Sequence, residues 1–242
     1  MLYVMIEEGV WSQRENYRRG RLTARPEKFS GVDAPSIGVQ PLNLGSQKDG
    51  FIYVPQGYDS SRPAALAVML HGAGASAEQG LFLLQQYADE YNMIVIAPAS
   101  RLYSWDIIAS DRFGPDVIYI DQALLYAFAN YVIDPARVAI GGFSDGASYA
   151  LCIGLTNGDL FTHIIAFSPG FVYTLEKNGK PAVFISHGID DAVLPIDPCG
   201  RRIVPQLQRQ GLNVNYTEFE GGHEIPDHIS RSGVEWFTKN GG

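Results

Sequence analysis

The sequence predicts an α/β fold: one mostly parallel sheet of eight strands, covered by helices on both faces. Three observations carry that expectation. Eight short apolar runs recur from about residue 37 onward. Several of them, such as AVML, MIVIA and HIIAF, are continuous rather than alternating, as in strands whose two faces are both buried. Most of the later runs are followed by a stretch with helical periodicity, the alternation that produces parallel strands.

The strand runs are Val39–Leu44, Gly50–Val54, Leu66–Leu70, Met93–Ala97, Arg137–Gly142, His163–Ser168, Ala182–Ser186 and Asn213–Phe219. The first two are separated by a short turn containing SQKD and read as an antiparallel hairpin at one edge. Among the helices, Ala77–Tyr91 places Leu81, Leu84 and Ala88 on one face. Asp116–Tyr131 is expected to start with Asp116 as its N-cap. Ser144–Thr156 stops at Asn157-Gly158, and Ile225–Lys239 carries Ile229, Gly233, Trp236 and Phe237 on one side. Right-handed crossovers then gather the functional loops at the carboxyl ends of the strands.

Residues 1–36 read differently and are expected to form an N-terminal arm on a main domain spanning 37–242. Between Arg14 and Lys28 the net charge is +4, in a chain that is −8 overall, and Pro26, Gly31 and Pro35 interrupt any periodicity. The arm's basic residues either meet acidic surface on the domain or belong to a loosely ordered tail.

The acidic balance, 18 Lys plus Arg against 26 Asp plus Glu, argues against nucleic-acid partners and a polybasic membrane anchor. Two cysteines, Cys152 and Cys199, cannot make a disulfide framework. MLYVMIEEGV lacks a basic leader and a long apolar run, and no later stretch is long enough to span a bilayer. A cytoplasmic protein is the expectation. The oligomeric state stays open, a homodimer included.

The chemistry centres on Gly142-Phe143-Ser144-Asp145-Gly146, a G-x-S-x-G match. Alone it is weak in a glycine-rich chain. Here RVAIGG reads as a strand and SDGASYALCIGL as a helix, so Ser144 sits at a tight strand-to-helix turn. Such a turn holds the serine in a strained conformation with its hydroxyl outward, and glycine on either side avoids collision between strand and helix. The backbone N–H of Asp145, at the helix N-terminus, can stabilise an oxyanion; its carboxylate must then point away. A second donor is expected in VMLHGAGAS, with Ala73 first and Gly72 and Gly74 as alternatives.

A serine needs a base and an orienting acid. HGIDDAVLP offers adjacent Asp190 and Asp191 at a strand end, of which only one can face the site. EGGHEIP offers His223 in a glycine-rich turn. His71 and His163 read as structural, His187 as a group behind the acid, and His228 lies in the last helix. HEIPDH does not read as a metal site, because its histidines are five apart with Pro226 between them. No metal and no cofactor are expected.

LHGAG, GFSDG, HGIDDAVLP and GGHEIP, in this order over about residues 37–239, resemble the α/β-hydrolase superfamily. The likeness is to small carboxylesterases near the phospholipase/carboxylesterase and polyhydroxybutyrate-depolymerase-like families. The resemblance implies Ser144 as nucleophile, His223 as base and Asp191, the fourth residue after His187, as acid. Serine at the nucleophile position disfavours the cysteine chemistry of the dienelactone-hydrolase branch.

Only PGFVYTLEKNGKP follows the sixth strand run, which leaves no room for a cap domain and implies an open site for short to medium acyl esters. Tyr103, Trp105, Phe143, Phe171 and Tyr173 are candidates for the pocket wall, and Asp106 and Asp111 for ordering the loop RLYSWDIIASDRFGPD. A serine esterase acting on a small-molecule ester is the leading expectation. A thioesterase or peptidase on the same three side chains, or a non-hydrolytic binding protein on this scaffold, are its rivals.

Overall fold

A computed structural model describes residues 12–26, 36–45 and 48–239. The stretch read for a leader (residues 1–10), Lys28, Gly31 and Pro35 of the arm, and Ser46 and Gln47 of the hairpin linker lie outside the described residues.

The strands are β1 (Gly38–Pro41), β2 (Phe51–Val54), β3 (Ala64–Leu70), β4 (Met93–Ala97), β5 (Ile133–Phe143), β6 (His163–Phe167), β7 (Ala182–Gly188) and β8 (Val214–Phe219). They form one sheet in the order β1-β2-β4-β3-β5-β6-β7-β8. β1 and β2 pair antiparallel, β2 joins β4 antiparallel, and all other pairings are parallel.

The continuous apolar runs divide residue by residue between two cores, because successive side chains of a strand leave opposite faces. Leu66, Val68 and Leu70 of β3 join one cluster, with Ile94, Ile96 and Ile140 from its neighbours. Ala65, Ala67 and Met69 join the other, with Met93, Val95 and Ala139. Both clusters are covered by helices, so β3, β4 and β6 are buried along their whole length.

The helices are α1 (Ala77–Phe82), α2 (Asp106–Ser110), α3 (Pro115–Asn130), α4 (Asp145–Thr156), α5 (Gly200–Arg209) and α6 (Asp227–Lys239). Several differ from expectation. The stretch read as one helix over 77–91 is α1 followed by a 3-10 turn at Gln85–Tyr87, although Leu81, Leu84 and Ala88 are buried as their spacing predicts. Gly114, not Asp116, occupies the N-cap of α3, and Pro115 takes the first helical position, where its missing N–H costs nothing. The segment 225–226 precedes α6 instead of opening it. The sequence reading has no counterpart for α2 or α5. Pro205 interrupts the local helix signal of α5, but burial of Ile203, Val204 and Leu207 holds the helix against the sheet.

The described part of the arm lies on the domain. Residues 12–18 are helical and residues 21–26 follow without regular secondary structure. The buried Asp121 carboxylate accepts the amides of Thr23 and Ala24, each at 2.8 Å, and the hydroxyls of Thr23 and Tyr17. Arg21 and Arg25 both reach Asp159, and Arg19 reaches Glu176, so these basic residues do meet acidic surface.

Asp121→Ala strands two amides and a phenol at that junction and is expected to cost about 3 kcal/mol of stability. Asp159→Ala breaks only half-exposed pairs and should cost about 1 kcal/mol or less. Urea unfolding of both variants beside the parent protein checks the ranking, and equal midpoints for the two variants would refute it.

Between β6 and β7 the chain contains no helix, only a loop over 168–181. Ser148 and Cys152 of α4 tether that loop, accepting the amides of Gly170 at 2.9 Å and Tyr173 at 3.3 Å. Among the described residues no helix is long and apolar enough to cross a membrane.

Candidate active site

β5 ends at Phe143 and α4 starts at Asp145, leaving Ser144 as the single residue that turns the chain. Its backbone, φ 57° and ψ −119°, is a conformation that L residues avoid at a cost of about 1–3 kcal/mol. Glycine is required on both sides for a steric reason. A Cβ on Gly146 would come within 2.2 Å of the Leu70 carbonyl oxygen, and one on Gly142 within 2.6 Å of Gly146 backbone.

The structure brings three of the predicted side chains into one chain of hydrogen bonds. His223 Nε2 lies 2.8 Å from Ser144 Oγ, and His223 Nδ1 lies 2.6 Å from Asp191 Oδ2. The carboxylate fixes the tautomer: Nδ1–H donates to Asp191, leaving the Nε2 lone pair to accept the serine hydroxyl. Phe143 carries the imidazole from one side, with ring centroids 4.6 Å apart.

Asp191 and its neighbour are clearly distinguished. Asp190 is exposed, whereas Asp191 is buried at the end of β7. Asp191 Oδ1 accepts the amides of Val193 at 2.9 Å and Leu194 at 2.8 Å. Burial by itself would raise the Asp191 carboxyl, but the bonds from His223, Leu194 and Val193 outweigh it and hold the group below the usual carboxylate range. His187 stands behind this acid: its Nε2–H donates to the Leu194 carbonyl at 2.7 Å and lies 3.3 Å from Asp191 Oδ2. Burial lowers its basicity, so it braces the acid loop as a neutral ring.

The loop after β3 separates the three amides that the sequence left as alternatives. The Gly72 N–H donates to Gln79 Oε1 at 2.7 Å and the Gly74 N–H to the Tyr103 carbonyl at 2.7 Å. Among the described residues the Ala73 N–H has no such acceptor. The amide of Asp145 begins α4 and so has no intrahelical partner.

Trp105 is a correction. It is fully buried, donates Nε1–H to the His71 carbonyl at 2.9 Å and stacks on Tyr149, so it supports the loop from below and forms no pocket wall. Tyr103 and Tyr173 are exposed, and Phe171 is half-buried against the core. His71 is structural, donating to Gly72 O and accepting the Ser100 amide, and His163 packs on Trp236 and Phe237. His228 is exposed, and the described residues contain no cluster of three or more groups suited to a metal ion.

Sequence reasoning named Asp106 for ordering the loop over 101–116 but missed its partners Asp116 and Tyr149, which no motif marks. Asp116 accepts the amides of Arg101 and Asp106, each at 2.7 Å, while Asp106 accepts those of Gly114 and Asp116 and the Tyr149 hydroxyl. Asp106 is thus a loop-ordering acid, and Asp111 ends α2 in the left-handed region at φ 55°.

Burial, and next the Asp106 carboxylate beside it, push the Asp116 carboxyl up to about 7. Between about pH 4 and 7 the folded protein therefore keeps a proton that the unfolded chain has released, and stability falls as pH rises through that window. Asp116→Asn is expected to flatten that slope. Thermal unfolding of both proteins at a series of pH values checks it, and parallel curves would refute the assignment.

Three comparisons place this geometry among known proteins. Residues 116–232 match the Phospholipase/Carboxylesterase family. An acetylxylan esterase of Coprinopsis cinerea is 34% identical over 136 residues, covering 52% of this chain and 35% of the relative. Feruloyl esterase C of Emericella nidulans is 25% identical over 181 residues, covering 69% of this chain and 65% of the relative. The chain thus spans between about a third and two thirds of the length of these curated relatives.

The crystal structure of S-formylglutathione hydrolase from Staphylococcus aureus superposes with a TM-score of 0.67 at 18% identity, covering 86% of this chain and 99% of that one, a likeness of fold. Sheet order, elbow and structural likeness agree on the α/β-hydrolase fold, and residues 116–232 are similar to the phospholipase/carboxylesterase family.

Proposed function

We propose that this protein is a carboxylic ester hydrolase working through Ser144, His223 and Asp191, with an acyl-enzyme intermediate. The observation that carries the reading is the unbroken hydrogen-bond chain from Asp191 through His223 to a serine on a strained elbow. His223 Nε2 takes the hydroxyl proton as Ser144 attacks the ester carbonyl, and Asp191 stabilises the imidazolium that forms. The Ala73 and Asp145 amides hold the oxyanion; the engagement of Gly72 and Gly74 elsewhere supports that choice. His223 then passes its proton to the leaving alcohol, and water repeats the attack on the acyl-enzyme.

The substrates are small esters with short to medium acyl groups, since only the tethered loop over 168–181 stands where a cap would sit. The names of the relatives point to acetyl and feruloyl esters as the first to test. The domain spans 37–242, the arm before it is an accessory clasp, and the location is cytoplasmic, in keeping with the two free, buried cysteines.

The deciding experiment combines covalent labelling by a fluorophosphonate with hydrolysis of p-nitrophenyl esters of increasing chain length. The label is expected on Ser144 and the rate to fall for long chains. Labelling elsewhere, or no ester turnover beside rapid thioester or amide cleavage, would overturn the assignment.

A further inference from the structure

The acid that follows the nucleophile poses an electrostatic problem. Asp145 supplies one proposed oxyanion amide, yet its own carboxylate stands at the first position of α4. The amides of a helix's first turn lack intrahelical acceptors, and a carboxylate there is drawn to them. Left free, that side chain competes for the donors the oxyanion needs and adds a negative charge beside a developing one.

The structure shows what restrains it. Ser104, fully buried in the loop after β4, donates its hydroxyl to Asp145 Oδ2 at 2.5 Å. The flanking residues fasten the same loop to the other side of the site: the Tyr103 carbonyl accepts the Gly74 amide at 2.7 Å, and Trp105 Nε1–H donates to the His71 carbonyl at 2.9 Å. Three consecutive residues therefore tie the loop both to the elbow and to the segment carrying Ala73. Ser104 has no other side-chain hydrogen bond among the described residues.

We infer that Ser104 is a positioning residue for the proposed hydrolysis, holding the Asp145 carboxylate away from the oxyanion and fastening the two amide-bearing segments to each other. The inference rests on the assignment of Ser144, His223 and Asp191. It acts on the transition state, where the oxyanion exists, and leaves ester binding in the ground state nearly untouched.

Ser104→Ala is expected to lower kcat about tenfold with KM nearly unchanged, the size expected for one misplaced charge at a partly solvated site. The informative test is the double variant. In the Ser104→Ala background, Asp145→Asn removes the charge that Ser104 restrained, so kcat should recover by several-fold. A merely structural role for Ser104 predicts no recovery, because the second change restores no packing and deletes the acceptor.

Unchanged kcat in Ser104→Ala, or a double variant no faster than the single one, overturns the inference. Fluorophosphonate labelling stoichiometry and circular dichroism confirm that each variant is folded, and Ser104→Thr, which keeps the hydroxyl, is the rescue if alanine proves unstable. Full turnover by Ser144→Ala would instead sink the underlying assignment, so the two failures are distinguishable.

Discussion

Ser144→Ala is expected to cut ester turnover by about 10⁶-fold and to abolish fluorophosphonate labelling, with little change in stability. The size follows from what remains. Without the hydroxyl no covalent intermediate forms, and His223 can only activate water from a position built to reach Ser144 Oγ, 2.8 Å away. The amide donors are untouched, so a residual acceleration over water of about 10³–10⁴ from oxyanion binding and substrate positioning should survive.

The variant should also fold. Alanine meets the same strained φ of 57° as serine, and the glycines at 142 and 146 still clear the crossing of strand and helix. A kinetic trace showing a burst of p-nitrophenol from the wild type and none from the variant identifies the lost step as acylation. A variant that kept even a tenth of wild-type turnover would place the nucleophile elsewhere.

How much of this was legible in the sequence depends on how local the determining physics is. The elbow was readable because its requirement is short range: two glycines beside one serine relieve contacts of 2.2 to 2.6 Å that any Cβ would create. The central strands were readable because burial on both faces demands uninterrupted apolar residues. By contrast, Asp190 and Asp191 have the same chemistry, and only the path of the chain after β7 decides which is buried against His187 and His223.

Ala73 came first of three candidate amides in the sequence, but the acceptors that engage Gly72 and Gly74, Gln79 and Tyr103, are remote from one another in sequence and could not be read there. Trp105 misled because an aromatic residue in a loop near the site gives no sign of facing inward, which here depends on stacking with Tyr149. The helix α5 was hidden by Pro205, a local signal overridden by packing of Ile203 and Leu207.

Asp191→Asn should lower kcat about 10⁴-fold, while Asp190→Asn should change it less than about threefold. The asymmetry comes from hydrogen-bond polarity rather than charge alone. An asparagine at 191 can still present an oxygen to the Val193 and Leu194 amides, as Asp191 Oδ1 does now. Its NH₂ group then faces His223 Nδ1, where a donor meets a donor. The imidazole escapes by shifting its proton to Nε2, and the ring that faced Ser144 with a lone pair now faces it with an N–H.

The general base is lost although every heavy atom stays in place. His187 cannot substitute, since its Nε2–H is committed to the Leu194 carbonyl. Asp190 points its exposed side chain into water and bears on His223 only through screened charge. Measuring kcat for both asparagine variants decides the matter. Equal losses would mean that bulk negative potential rather than a fixed tautomer drives the reaction, and a larger loss at Asp190 would transfer the acid's role to that residue.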